Sequence, residues 1–304
     1  MTAADAGTGS ADLAQKHAYA RVNDILIHYV VSGDAPGPAV VLLHGWTSTW
    51  YQWSANVMPA LARHYTVIAP DMRGVGDSDK PAEEAGYQKK NMAEDIYQLV
   101  RHLGHQEIYL VGHDFGATVA YAYAVAHRDD VKKLVILDMP FPGFGYEEGL
   151  RFDPPRKDPL GREFWHLAWH DAPSEIFEAL VTGRERTYLR YFFQQFSYDP
   201  SAVSEADLDE YARHYASPGG LRSVNYYRTH AVDAEYFRES SKTPLEMPVL
   251  ALGGDHFNGI MVKNAMEQMA TDVRGGVIPD CGHWVTDEQP QYVIDQMLAF
   301  FKEE

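Results

Sequence analysis

Asp114 lies at the centre of a five-residue segment, GHDFG at 112–116, whose pattern suits nucleophilic catalysis. An apolar stretch, 108–111, precedes the segment, and a stretch rich in small residues, 117–126, follows it. A sharp strand-to-helix turn needs small residues two positions before and after its central residue, and it lifts the central side chain above the sheet. The N-terminus of the following helix favours negative charge. The pattern predicts a nucleophile elbow in which Asp114 takes the position usually held by serine. The alternative is that the match is due to chance and that Asp114 only caps the following helix.

His283 and two carboxylates follow in the order that such a nucleophile requires, which is nucleophile, acid, histidine. His283 falls on a loop between the last predicted strand and the last predicted helix, where catalytic side chains concentrate. Asp138 ends an apolar strand, 134–137, and Asp255 follows another, 249–252, which places both at the carboxyl edge of the sheet. Asp138 is the preferred partner of His283, because a carboxylate directly after four apolar strand residues is costly unless it is paired. Asp255, in a Gly-Gly-Asp turn, stays as the alternative.

The backbone N–H groups of Trp46 and Phe115 are expected to form an oxyanion hole beside Asp114. A carboxylate nucleophile forms an alkyl ester with its substrate, and water activated by His283 would then attack the carbonyl carbon of that ester. This chemistry suits an epoxide or a carbon–halogen bond, because attack on an ester or amide would give an anhydride. The two leaving groups differ, since an epoxide oxygen needs proton donors and a halide needs N–H dipoles.

Apolar strands alternate with helical patterns along most of the chain, which predicts a parallel sheet covered on both faces. The predicted strands are a hairpin at 20–31 and the segments 39–43, 66–71, 108–112, 133–138, 249–252 and 276–279.

The alternation stops after Asp138, where a proline- and aromatic-rich stretch, 139–243, has helical spacing and no clear strand. A stretch of this length is enough for a small domain. The predicted organisation is therefore a flexible N-terminal tail at 1–16, an α/β core at 17–142 and 245–304, and a helical cap domain at 143–244.

Composition excludes several other classes of protein. The 304 residues include 26 lysines and arginines against 43 aspartates and glutamates, a net charge of −17, so a nucleic-acid backbone would be repelled. Cys281 is the single cysteine, which excludes an internal disulfide or an all-cysteine metal site. Apolar runs such as 39–43 are far shorter than the ~18 residues of a membrane span. The first 14 residues lack a secretory signal pattern, so a cytoplasmic location is expected.

Seven segments together resemble the α/β-hydrolase-fold epoxide hydrolases, and most of all the Cif-type bacterial enzymes. The resemblance implies an eight-stranded, mostly parallel sheet with an inserted helical cap, no metal or other cofactor, and a homodimer. In that group the acid follows the sixth strand, which here is Asp138, and the ring-opening pair falls on His166 and Tyr227. The matching segments are 44–53, 66–81, 110–116, 134–143, 164–166, 225–228 and 280–284.

The sequence thus predicts a cofactor-free epoxide hydrolase that converts a hydrophobic epoxide to a vicinal diol. Phe141, Trp165 and Trp284 are expected to line the substrate site with Phe115. A haloalkane or haloacid dehalogenase with the same nucleophile is the second hypothesis. It is disfavoured because fluoroacetate dehalogenases carry two arginines where this chain has Phe115 and Thr118, and haloalkane dehalogenases place tryptophan at the first of these positions. A non-catalytic ligand receptor ranks last, because all five catalytic side chains are present.

Overall fold

A central sheet organises the molecule in the computed structural model, which describes residues 13–147 and 164–303. In sheet order the strands are β1, β2, β4, β3, β5, β6, β7 and β8. β2 is antiparallel to both of its neighbours, and every other pair is parallel. This is the eight-stranded, mostly parallel sheet that was predicted. The strands are β1 (Lys16–Val22), β2 (Ile25–Ser32), β3 (Ala39–Leu43), β4 (Val67–Pro70), β5 (Ile108–His113), β6 (Val131–Leu137), β7 (Val249–Gly254) and β8 (Val273–Ile278).

Helices cover the sheet and make up most of the described residues between β6 and β7. In the described residues they are α1 (Val57–Leu61), α2 (Lys89–His102), α3 (Phe115–Ala126), α4 (Trp165–Trp169), α5 (Ser174–Val181), α6 (Glu185–Gln195), α7 (Glu205–Tyr215), α8 (Asn225–Arg228), α9 (His230–Ser240), α10 (Met261–Met266), α11 (Val285–Glu288) and α12 (Pro290–Lys302). No helix in 13–147 or 164–303 has the length and apolar character needed to cross a bilayer.

Burial on both faces explains why the central strands are continuously apolar. All five residues of β3 are fully buried. Val41 belongs to a core that contains α2 and α3, whereas Val40 and Leu42 belong to a second core with α1 and α12. Because successive side chains of a strand point to opposite faces, a sheet with a core on each side needs apolar residues at every position.

Two strands show where the sequence patterns were clear and where they were not. The predicted hairpin turns at Asn23 and Asp24, whose φ angles of 45° and 63° suit a tight two-residue turn. The last strand begins at Val273, earlier than predicted. The prediction missed its first residues because Gly275 interrupts the apolar pattern of the strand. A Cβ on Gly275 would lie 2.3 Å from the carbonyl oxygen of Ala251 in β7, so glycine permits a close approach that a strand pattern does not show.

The described residues of the predicted cap, 143–244, are 143–147 and 164–244; the longer of these segments contains α4–α9 and no strand. The predicted cap residues 148–163 and the first twelve residues of the predicted tail lie outside the described residues. Near the N-terminus, the Ser32 hydroxyl donates to the carbonyl of Leu13, and the Gln15 amide donates to the carbonyl of Ser54. Residues 13–16 of the predicted tail therefore contact the core.

Candidate active site

Asp114 occupies the turn between β5 and α3 in a backbone conformation that few residues adopt, with φ 51° and ψ −128°. A Cβ on Gly112 would lie 2.3 Å from the Gly116 carbonyl oxygen, and one on Gly116 would lie 2.3 Å from that of Leu43. Both positions therefore require glycine. This backbone conformation costs on the order of 1–3 kcal/mol. It directs the Asp114 carboxylate away from the turn, as in a nucleophile elbow.

Backbone N–H groups hold the Asp114 carboxylate. The N–H of Trp46 donates to Oδ1 at 2.7 Å, and the N–H of Phe115 also hydrogen-bonds this carboxylate. The other oxygen, Oδ2, lies 3.5 Å from Nε2 of His283. Burial raises the pKa of Asp114, but the hydrogen bonding and charge of His283 and the Phe115 N–H outweigh it, so the pKa lies below its usual value. The carboxylate is thus ionised at neutral pH.

His283 is held on its other side by Asp138, whose φ is 46°. Nδ1–H of His283 donates to Oδ2 of Asp138 at 2.6 Å. Asp138 is fully buried and also accepts from the backbone N–H of Gly254 at 2.9 Å and from Nδ2 of Asn258 at 3.2 Å. Burial raises the pKa of Asp138, and these partners offset only part of that rise. For His283, burial lowers the pKa, but the two carboxylates outweigh it and raise the pKa to about 9.

Asp255 contacts the histidine loop at a different place. Its carboxylate accepts from the N–H groups of Asp280 at 3.1 Å and Cys281 at 3.0 Å, and from the ring of His256. These contacts brace the loop before His283. Of the two carboxylates that the sequence left open, Asp138 is the one in contact with the imidazole.

A second hydrogen-bond network, which the sequence analysis missed, joins three loops beneath the site. The amide oxygen of Gln52 accepts from the N–H of Gly45, and its nitrogen donates to Nδ1 of His113 at 3.0 Å. Nε2–H of His113 then donates to the carbonyl of His283 at 2.8 Å. Burial lowers the pKa of His113 to about 3, so this ring stays neutral, as the network requires. Gln52 and His113 thereby fix the oxyanion, nucleophile and histidine loops relative to one another.

His166 and Tyr227 come from separate helices, α4 and α8, with their rings edge to face and 5.8 Å apart. The ring of Tyr227 packs against Trp46 at 5.0 Å and Phe115 at 4.7 Å, so it lies directly over the two residues that donate to Asp114. Burial lowers the pKa of His166 to about 3, and burial, followed by the charge of Asp114, raises the pKa of Tyr227 well above 10. Both side chains are therefore neutral and can donate hydrogen bonds.

The three residues expected to line the substrate site have different surroundings. Phe141 is buried against Tyr121 and Phe237. Trp165 is about one-third exposed, and its indole N–H donates to the hydroxyl of Tyr191 at 2.8 Å.

Trp284 packs on Phe193 and on the ring of His283. Phe192, Phe196 and Phe257 also pack against His166 or His283. These three could not be singled out from the sequence, because an apolar residue in an aromatic-rich helical stretch or in a loop gives no sign of whether it faces the site.

Four buried N–H-bearing rings beside the site have a nitrogen without a hydrogen-bond partner among the described residues. They are Nε1 of Trp46 and Trp284 and Nδ1 of His166 and His170. The His170 ring lies 4.2 Å from Tyr227 and its Nε2 bonds the hydroxyl of Tyr188. An unpaired buried polar group costs about 1–3 kcal/mol, which is most readily tolerated where a ligand supplies the missing partner.

His28, Asp71 and Asp77 form the group of described residues best placed to hold a metal ion, with ligand atoms within 4.8 Å of one another. Nδ1 of His28, however, donates to Asp71 at 2.8 Å, and Asp71 also accepts from the backbone N–H groups of Trp50 and Asp77. These bonds already occupy the carboxylate and fold the loop after β4. The group includes none of the residues around Asp114.

Comparison with known proteins agrees with the fold. A model of the α/β hydrolase fold matches residues 38–164. A soluble epoxide hydrolase of a Corynebacterium species is 40% identical over 288 residues, which cover 94% of this chain and 96% of that protein. The chain belongs to the α/β-hydrolase-fold epoxide hydrolase family.

Solved structures of this family superpose over most of the chain. Epoxide hydrolase CorEH, at 40% identity, gives a TM-score of 0.85 and covers 95% of this chain and 99% of that one. The Cif epoxide hydrolase of Acinetobacter nosocomialis, at 24% identity, shares the fold with a TM-score of 0.84 over 94% of this chain and 88% of that one. A fluoroacetate dehalogenase of a Burkholderia species is 31% identical over 77% of this chain and 75% of its own length.

Proposed function

We propose that this enzyme hydrolyses a hydrophobic epoxide to a vicinal diol through a covalent ester on Asp114. The observation that carries the proposal is that the two oxygens of the Asp114 carboxylate have different partners. Trp46 and Phe115 donate to the carboxylate from the backbone, while His283 faces its second oxygen. One oxygen can therefore become the carbonyl of an ester in an oxyanion hole, and the other can bond to carbon.

In the first step, Oδ2 of Asp114 attacks a ring carbon and the carbon–oxygen bond of the epoxide breaks. The bonding electrons go to the epoxide oxygen, which faces the pair from α4 and α8. Because the pKa of His166 is low, its imidazole is neutral at neutral pH and can donate a hydrogen bond but does not act as a general acid. Tyr227 supplies the proton and becomes a phenolate, because a phenol is far more acidic than a neutral imidazole N–H.

In the second step, His283 activates water. Esterification removes the negative charge of Asp114, which is one of the two carboxylates that raise the pKa of His283. The pKa of the imidazole therefore falls, Nε2 gives its proton to solvent, and the neutral form becomes available as a base at neutral pH. His283 takes a proton back from solvent once Asp114 is ionised again. Water attacks Cγ of Asp114 and gives its proton to His283, while the N–H groups of Trp46 and Phe115 stabilise the oxyanion on Oδ1.

Attack of water on Cγ gives a tetrahedral intermediate, and its collapse releases the diol and restores the Asp114 carboxylate. The bond between Cγ and Oδ2 breaks, and the alkoxide that leaves takes the proton from His283. Asp114 is left as a carboxylic acid, and its proton returns to the Tyr227 phenolate. Asp138 keeps Nδ1 of His283 protonated throughout, so that Nε2 faces the water.

The test is intact-mass spectrometry of His283→Gln, which should block the second step and trap the ester. The protein is incubated separately with an aryl epoxide, an alkyl epoxide, a haloalkane and a haloacetate. We expect a whole-mass adduct with an epoxide, absent when Asp114→Asn is added. If no epoxide gives an adduct on Asp114, the proposal is wrong.

Dehalogenation is the second candidate, and one observation favours it. Nε1–H of Trp46 is buried beside Asp114 and has no partner among the described residues, so it can donate to a halide. Trp165 offers no such donor, because its N–H bonds Tyr191, and Thr118 donates its hydroxyl to the Phe115 carbonyl. In the trapping experiment, a halogenated substrate would add its mass less the hydrogen halide. An adduct of that kind alone would make this activity the main one.

The cap boundary at 143–244, the cytoplasmic location and the homodimer stay as proposals from the sequence. The helical segment supports the first, since α4 and α8 carry His166 and Tyr227 to the site. Size-exclusion chromatography with light scattering would test the dimer, and a monomer at all concentrations would refute it.

A further inference from the structure

Lys89 is a fully buried cation that the proposed reaction does not use. It begins α2 in the core, and its ammonium has a complete set of partners. Nζ donates to the Tyr226 carbonyl, the Thr229 hydroxyl and Oδ2 of Asp233, each at 2.9 Å. Burial lowers the pKa of Lys89, and the charge of Asp233 opposes that change.

All three partners lie on α8, on α9 or between them, on either side of Tyr227. The backbone N–H of Lys89 also donates to Oδ1 of Asp233 at 2.9 Å, and the Thr229 hydroxyl donates to Oδ2 of the same carboxylate at 2.8 Å. One lysine thus joins the first turn of a core helix to the helical segment that supplies the proposed proton donor.

Lys89 also contacts the surface on which Tyr227 rests. Its Nζ lies 5.0 Å from the centre of the Phe115 ring, and this ring packs edge to face against Tyr227 at 4.7 Å. Phe115 follows the nucleophile, and its backbone N–H hydrogen-bonds Asp114. Lys89 therefore holds both the main chain beside Tyr227 and the ring beneath it.

Stability alone does not explain a charged residue at this place. Burying an ion pair costs desolvation energy, and apolar residues of similar size often give the same or greater stability. What three directed N–H donors add is a defined position, because each donor fixes one acceptor in distance and direction. The acceptors fixed here are those that set the position of Tyr227.

We propose that Lys89 is a positioning residue for ring opening, which holds the Tyr227 hydroxyl where the epoxide oxygen gains charge. The proposal rests on the proposed function. It concerns the first step above all, because the hydrogen bonds of Lys89 in the described residues go to the segment around Tyr227 and not to His283 or Asp138, which act in the second step. A shift of about 1 Å in a group that acts in the transition state can cost roughly 10²-fold in rate.

The experiment measures the two steps separately by rapid quench and intact-mass spectrometry in single turnover. For Lys89→Met we expect ester formation to slow by about 10- to 100-fold, with hydrolysis of the ester unchanged. The same substitution in a Tyr227→Phe background should cost little more, because the group that it misplaces is already gone. Lys90→Met is the matched control, since Lys90 is the exposed neighbour on α2.

Thr229→Val is a second variant, for the case in which Lys89→Met fails to fold. It is nearly isosteric, keeps the Lys89–Asp233 pair, and should slow ester formation to a smaller extent. Equal losses in both steps, or losses that add fully to that of Tyr227→Phe, would mean that Lys89 has a structural role only. If Lys89→Met forms the ester at the wild-type rate, this inference alone fails. If the wild-type enzyme forms no ester with any epoxide, the proposed function fails and the inference with it.

Discussion

The two halves of the candidate site are built differently. On the sheet side, Asp114, Asp138 and His283 are held by backbone N–H groups, by one another and by Asn258. On the helical side, ring contacts surround His166 and Tyr227, whose side chains make no hydrogen bond among the described residues. Nδ1 of His166 and Nδ1 of His170 have no hydrogen-bond partner among the described residues.

The fold itself supplies hydrogen-bond partners for the catalytic side chains on the sheet side, whereas a substrate must supply partners for polar groups on the helical side. On the sheet side, Asp114, Asp138 and His283 are positioned without a ligand, because strand ends and glycine turns place the backbone donors that hold them. The helical side holds polar groups whose burial costs about 1–3 kcal/mol each while they are unpaired. An epoxide oxygen between His166 and Tyr227 would accept from such donors, so substrate binding removes part of this cost.

The largest effect is expected at Asp138 on the sheet side. Asp138→Asn should lower ester hydrolysis by roughly 10³-fold, because the amide stabilises the wrong tautomer of His283. Ester formation should change far less, so the ester should accumulate in single-turnover mass spectra. Asp255→Asn is the comparison and should slow hydrolysis far less, because Asp255 contacts the loop before His283 and not the imidazole. A larger loss of hydrolysis in Asp255→Asn than in Asp138→Asn would contradict the geometry.

A smaller effect is expected at His166 on the helical side. His166→Phe should slow ester formation by about 10²-fold, the usual contribution of one positioned proton-transfer or hydrogen-bonding group. The melting temperature should stay level or rise, because an unpaired buried nitrogen is lost. Calorimetry beside rapid-quench kinetics measures both quantities. A marked fall in melting temperature would show that this half is held by polar bonds after all.

Gln52 differs from His166, because its amide groups are hydrogen-bonded, so its replacement is expected to lower stability. Gln52→Leu should reduce the free energy of unfolding by about 1–3 kcal/mol, because the Gly45 N–H and Nδ1 of His113 lose their partner. Hydrolysis of the ester should slow by roughly tenfold as the loops shift. Gln268→Leu, at an exposed position in the turn after α10, is the control for urea denaturation. Unchanged stability in Gln52→Leu would refute the role given to this network.

The smallest effect concerns pH. The pKa of His283 in the folded enzyme is about 9, above its ordinary value of 6.5. A raised pKa stabilises the folded state fully below pH 6.5, and this contribution is lost as the pH rises to about 9. Asp138→Asn removes one cause of the rise, so its stability should fall less over this window than that of the wild type. Parallel curves from urea titrations at each pH would contradict this assignment.

Local sterics made the core of the site predictable from sequence. The two glycines of 112–116 are required by contacts under 2.5 Å, and such a requirement is visible as a short motif. Asp138 could be preferred to Asp255 because its burial after an apolar strand demands a partner. His166 and Tyr227 came only from resemblance to a family, since helical spacing does not show which face meets the site.

The supporting residues could not be predicted, because their partners are distant in the chain. Gln52 and His113 are 61 residues apart, and Lys89 and Asp233 are 144 residues apart. Trp165 had a visible signal, an indole that could serve a ligand, but its N–H is bonded to Tyr191. Only the folded chain shows which donors are already used.

The central claim is that Asp114 itself forms the bond to the substrate, and oxygen labelling tests it most directly. A single turnover with excess enzyme in ¹⁸O-water should place the label in the Asp114 carboxylate, while the diol keeps an unlabelled oxygen from the enzyme. Mass spectrometry of the diol and of the peptide that contains Asp114 reads both outcomes. A labelled diol with an unlabelled Asp114 would mean that water attacks the epoxide directly, and the covalent account would be wrong.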